Sequence, residues 1–187
     1  MKKFKLTSEF IVDISGVKLF RIKALIEFGN VKAGDLGGYI EKEENLSHMG
    51  NAWVSGNARV SGNARVSGDA RVFGNARVSG NARVSSNARV SGDAQVFGDA
   101  RVSGDKDYAY AHGFGSCNRT TTFFRLKDGD VGVRCGCFYG TLAQFRDNVC
   151  ETHGETKKAQ EYLMLADLME LRFEEDENEV GNRKYVE

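Results

Sequence analysis

Seven arginines, at positions 59, 65, 71, 77, 83, 89 and 101, recur at multiples of six residues. A guanidinium presents a planar fork of donors that matches carboxylate or phosphate, so arginines in a fixed array suit an anionic partner. Other chemistry-bearing residues are few. Cys135-x-Cys137 followed by Cys150-x-x-His153 offers four soft groups of the kind zinc takes in a tetrahedron. Cys-x-Cys is not the usual zinc knuckle, however, and Cys150 falls mid-helix beside core positions, where a thiol packs as a small hydrophobe. The reading is therefore four reduced thiols, Cys117 included, and no metal. His112 lies among Gly113, Gly115, Ser116 and Asn118, a polar loop that suits an anion or serves as a connector.

The arginines belong to nine consecutive hexads from Gly50 to Ser103, nearly all reading Gly-Asn/Asp-Ala-Arg-Val-Ser. Gly followed by Asn or Asp turns the chain, because both tolerate positive φ. Six residues make one short strand and one corner, and three hexads make an eighteen-residue triangular coil. The expected fold is mainly β, a left-handed parallel β-helix in which each repeat buries its apolar face only by stacking on its neighbours. Residues eighteen apart should then form columns: Val54, Val72 and Val90; Val60, Val78 and Val96; Val66, Val84 and Val102. Outward columns are Arg65, Arg83 and Arg101; Arg59, Arg77 and Gln95; Trp53, Arg71 and Arg89. Phe73 and Phe97 replace Ser at two hexads and are expected on the surface, at junctions between subunits together with Trp53.

The spacing divides the chain into residues 1–49, 50–105 and 106–187. The first part reads as strands within residues 4–27, a turn at Ser15-Gly16, and irregular first coils from Phe28 to Met49 with Val31, Leu36, Ile40 and Leu46 inward. The last reads as a small α+β module. Strands at 120–126 and 131–137 form a hairpin through Lys127-Asp128-Gly129-Asp130. Thr141 and Gln144 form a capping box that opens a helix ending at Gly154. A second helix spans about Thr156 to Phe173. Its broad apolar face packs on the hairpin and first helix, or is shared with another subunit. Glu174 to Glu179 read as a frayed acidic tail.

Lysine plus arginine and aspartate plus glutamate both total 26. The hexads hold seven Arg against three Asp (69, 93 and 99), so that block is basic by four charges and the flanks acidic by four. Zero net charge argues against duplex nucleic acid as a partner. With no apolar leader after Met1-Lys2-Lys3 and no apolar run of about 18 residues, the expectation is a cytoplasmic protein with no membrane partner.

Phe28-Gly29-Asn30-Val31-Lys32-Ala33-Gly34-Asp35-Leu36-Gly37-Gly38, with the first hexads, resembles phage and prophage hexapeptide-repeat proteins related to the YdcK-like group. The stretch from Thr120 through Cys135-Gly136-Cys137-Phe138 to Leu142 resembles the C-terminal part of the same proteins. The resemblance implies a left-handed β-helix, commonly trimeric, and little about activity. Hexapeptide acyltransferases use a histidine at a cleft between subunits, and hexapeptide carbonic anhydrases converge three histidines on zinc. The hexads contain no histidine, so the expectation is no enzyme and no cofactor. The favoured reading is a phage-type, non-catalytic homotrimer with an anti-defence role. It would inhibit a host immune protein or sequester an anionic nucleotide at junctions lined by Arg59, Arg65, Arg77, Arg83 and Arg101. The alternatives are a virion or tail-associated structural protein, and an acyltransferase using an unfamiliar group such as His112.

Overall fold

The structure, a computed structural model, describes residues 1–115 and 118–174. Ser116, Cys117 and the acidic residues 175–179 lie outside the described residues. The chain opens with an antiparallel hairpin, β1 (Phe4–Val12) and β2 (Lys18–Ala24), turned at Gly16, and β3 (Leu36–Ile40) adds to β2. The hexads follow as nine two-residue strands: β4 (Trp53–Val54), β5 (Arg59–Val60), β6 (Arg65–Val66), β7 (Arg71–Val72), β8 (Arg77–Val78), β9 (Arg83–Val84), β10 (Arg89–Val90), β11 (Gln95–Val96) and β12 (Arg101–Val102).

Strands eighteen residues apart pair in parallel, in the expected register. One face is β4–β7–β10, a second β6–β9–β12, and a third joins β5, β8 and β11 to β3 and the hairpin in one six-stranded sheet. The result is a β-solenoid of about four turns. All nine hexad valines and their alanines are buried in a single core. The first turn begins before the hexads, since Tyr39 and Ile40 pair with Arg59 and Val60, and Leu46 bridges to Val66. Val31, Ile40 and Leu46 point inward as expected, but Leu36 is 53% exposed. The inward space beside it belongs to Gly37, where even a Cβ would lie 2.6 Å from Val54 O.

The corners require positive φ. Gly80 stands at +71°, with Gly98 N only 2.8 Å from where its Cβ would be, so the coils touch backbone to backbone there. Ser86 adopts the same region at φ +53° without being glycine.

A solenoid leaves edge groups unpaired at both ends, and the flanking segments satisfy them. At the lower end Lys3, only 1% exposed, donates its ammonium to Gly50 O at 3.2 Å and Ala52 O at 2.8 Å. Asn45 does the same at the next corner, donating Nδ2 to Gly62 O and Ala64 O. At the upper end the acceptors are side chains: Asp105 Oδ1 for Arg89 N, Thr122 Oγ1 for Gln95 N, and Asp107 Oδ2 for Ser103 N.

The C-terminal module is an antiparallel sheet in the order β13 (Tyr108–Phe114), β14 (Arg119–Arg125), β15 (Val131–Cys135), β16 (Phe138–Thr141), backed by α1 (Leu142–His153) and α2 (Lys157–Phe173). The expected hairpin is β14–β15, and the capping box at Thr141 and Gln144 is present. β13 and β16 extend it to four strands. Side chains alternate across β14, so Phe124 enters the solenoid core while Phe123 enters the core under the helices. This alternation fastens the module onto the upper coil. In α2, Ala159, Tyr162, Ala166, Met169 and Phe173 pack inward, whereas Met164, Leu168 and Leu171 remain exposed. Among the described residues no helix is long and apolar enough to cross a membrane.

Candidate functional site

The register of β6, β9 and β12 stacks Arg65, Arg83 and Arg101 in one rising column. Two residues on, and so on the same side of the chain, Ser67, Ser85 and Ser103 form a parallel column of small side chains. Together with Ser47 they line an open groove of about 810 Å³. Its lower end carries Glu43, Glu44 and His48. The groove is therefore polarised, cationic above and acidic below.

The arginines differ in availability. Arg65 and Arg83 are exposed, and their side chains make no hydrogen bond or ion pair among the described residues. Arg101 is folded back, its guanidinium donating to Ala100 O at 2.9 Å and Asn81 O at 3.1 Å. At the acidic end Lys2 Nζ lies 2.8 Å from Glu43 Oε1, and that hydrogen bond holds the Glu43 carboxyl below its usual range. His48 stacks on Phe4 with ring centroids 4.3 Å apart, and its Nδ1 accepts the backbone N–H of Lys3 at 3.2 Å. Its Nε2 is buried, 3.9 Å from Glu43 Oε2. One nitrogen of His48 is thus used in accepting the Lys3 amide and the other is buried, which suits a structural imidazole.

Arg59 and Arg77 stack in register on the face shared with the hairpin, above Tyr39 and below Gln95. The five candidate arginines therefore fall on two adjoining faces. Two of the expected junction aromatics are occupied within the chain. Trp53 is only 6% exposed because Phe28, from the irregular first coil, packs edge-on against it at 5.4 Å. Phe97 is covered by Tyr139 of β16, edge-on at 5.1 Å, and by the Arg134 guanidinium at 5.1 Å. Phe73 remains, 39% exposed. Beside it stand Arg71 and Arg89, which the spacing places in a column but which chemistry alone does not single out. Phe73, two residues beyond Arg71 on the same side of the strand, is the signal that could have done so.

The cysteines and histidines are scattered. Cys135 Sγ accepts from Thr121 Oγ1 at 3.2 Å beneath the helices, Cys137 is exposed, and His153 stacks on Tyr162. Cys150 is exposed rather than packed, because Leu142, Phe145 and Val149 make the buried face of α1. His112 lies in β13, with Nδ1 2.9 Å from Thr120 Oγ1. Among the described residues no group of three or more potential ligands converges as a metal site.

These features define a parallel β-solenoid, closed at both ends by its own chain, with side-chain columns as its outward chemistry. Residues 52–68, 58–72, 64–80, 70–86 and 76–92 match the description of the YdcK beta solenoid repeat. No curated protein matches the chain.

Proposed function

We propose that this is a phage-type, non-catalytic interaction protein that acts as a homotrimer and counters a host defence by holding an immune protein in the Arg65–Arg83 groove. The observation that carries this reading is the groove's polarity. Two unpaired guanidiniums stand above a floor of serines, and Glu43 and Glu44 lie at the other end. A free phosphate would be repelled by those carboxylates, whereas a protein surface can match both signs along the groove's length. The absence of catalysis is supported by His48, the histidine of the groove, whose ring is used in packing and in accepting the Lys3 amide. The phage assignment rests on the resemblance of the flanking segments, and the trimer on that same resemblance and the flat faces of the solenoid.

The virion-rod alternative draws less support. Hairpin and C-terminal module close both ends, so coils cannot continue from one copy to the next by simple stacking. The test is expression in bacterial hosts carrying individual defence systems, challenged with phages those systems restrict. Restored plating in at least one host is expected. Unchanged plating across the panel, with soluble protein present, would contradict the proposal.

A further inference from the structure

The β4–β7–β10 face of the solenoid carries a different kind of surface. Asn30, Trp53, Ser55, Arg71, Phe73 and Arg89 line a cleft of about 460 Å³, within the range of small-molecule sites, roughly 300–1,000 Å³. Phe73 and Arg89 continue into a second cleft of about 410 Å³, where Asp105, Tyr110 and Arg172 also stand, the Asp105 carboxylate accepting the Arg89 backbone N–H. Among the described residues no carboxylate lines the first cleft, in contrast to the Arg65 groove. Arg71 and Arg89 are partners on adjacent strands, about 4.8 Å apart along the solenoid. Neither side chain makes a hydrogen bond or ion pair among the described residues.

We propose that this cleft is a nucleotide site, taking a nucleoside monophosphate with its base on Phe73 and its phosphate between Arg71 and Arg89. The Phe73 ring is the open aromatic surface that a planar base stacks on, and stacking is tolerant of base identity. Two guanidiniums one coil apart present their forks to different oxygens of one phosphate. Asn30 and Ser55 add neutral donors and acceptors at the rim. The site is independent of the Arg65 groove, which lies on another face and shares no residue with it.

The protein reports on this site by itself, because Trp53 is its single tryptophan and lines the cleft. The experiment is titration of the full chain with AMP, GMP, CMP and UMP, followed by Trp53 emission, with adenosine and inorganic phosphate as separate probes. At least one monophosphate should change the emission saturably below millimolar concentration, and the nucleoside and phosphate alone should bind at least about tenfold more weakly. Phe73→Ser restores the residue that seven of the nine hexads carry, so the coil is retained. It should weaken binding about tenfold, within the effect of removing one stacking platform. Arg89→Gln should weaken it similarly, and Lys158→Gln, a charge removed from α2, should leave it unchanged. The proposal is overturned if no monophosphate gives a saturable change, if Phe73→Ser binds as wild type does, or if inorganic phosphate competes as well as the nucleotide.

Discussion

Asn81 donates its side-chain amide to Asp99 Oδ1 at 3.2 Å, and Asn63 one coil below donates to Asn81 Oδ1 at the same distance. The neighbouring corner repeats the arrangement from Asn57 to Asn75 to Asp93. Each asparagine passes one hydrogen bond upward, and the last member needs only to accept. An aspartate fills that end at these two corners, whereas at the third corner Asp69 accepts from Asn51 at 2.9 Å in mid-column. Lys127 adds an ion pair to Asp99 at 3.3 Å.

The Asn81 hydrogen bond, with that of Lys127, holds the Asp99 carboxyl below its usual range. A lowered folded pKa stabilises the fold above the unfolded value near 4, and the benefit is lost as pH falls through the folded value. Asn81→Asp should reverse the local effect by stacking two carboxylates one coil apart. Its unfolding midpoint, followed by circular dichroism, should lie below wild type at pH 7. The gap should close toward pH 4, as protonation relieves the repulsion.

Lys3 gives a pH dependence of the same sign in an alkaline window. Burial pushes its ammonium down to about 8, against an ordinary value of 10.5. Between these values the unfolded chain holds more protons than the folded one, so the Lys3 contribution makes stability rise with pH across that window. Lys3→Met should flatten that rise. It should also cost about 2 kcal/mol at pH 7, because the carbonyls of Gly50 and Ala52 lose their donor. Denaturant titrations at pH 7 and pH 10 measure both effects.

Ser86 stands where the other corners carry glycine, at φ +53°. A non-glycine residue in that region costs roughly 1–2 kcal/mol. Ser86→Gly should therefore stabilise the protein by about 1 kcal/mol, seen as a rise in Tm of roughly 2–4 °C for a chain of this size.

The upper cap can be tested through one atom. Thr122 Oγ1 accepts Gln95 N at 2.9 Å. Thr122→Val keeps the shape and removes the acceptor, so it should cost roughly 1–3 kcal/mol. Hydrogen exchange should quicken at the Gln95 amide more than at Arg77, which lies inside the same sheet.

The six-residue period made the interior legible, because a strict repeat sends the valine of every hexad inward and stacks residues eighteen apart. The Arg columns followed from the same arithmetic, and the capping box at Thr141 from local chemistry. What the period cannot show is where non-repeating chain returns. Trp53 and Phe97 read as open because their covers, Phe28 and Tyr139, come from outside the hexads. The end caps Lys3, Asn45 and Thr122 are ordinary polar residues until the fold brings them to an unpaired carbonyl or amide. The polarised groove was half visible: Arg65, Arg83 and Arg101 belong to the repeat, whereas Glu43, Glu44 and His48 reach it through the irregular first coil.

The most direct test of the proposed function compares wild type with the double variant Arg65→Gln, Arg83→Gln in a host where the wild-type chain restores phage plating. Both substitutions lie on exposed side chains that make no hydrogen bond or ion pair among the described residues, so the solenoid should be unaffected. The account predicts that plating falls to the level of a host lacking the protein while the variant's amount and circular dichroism match wild type. Full plating with the double variant would contradict it.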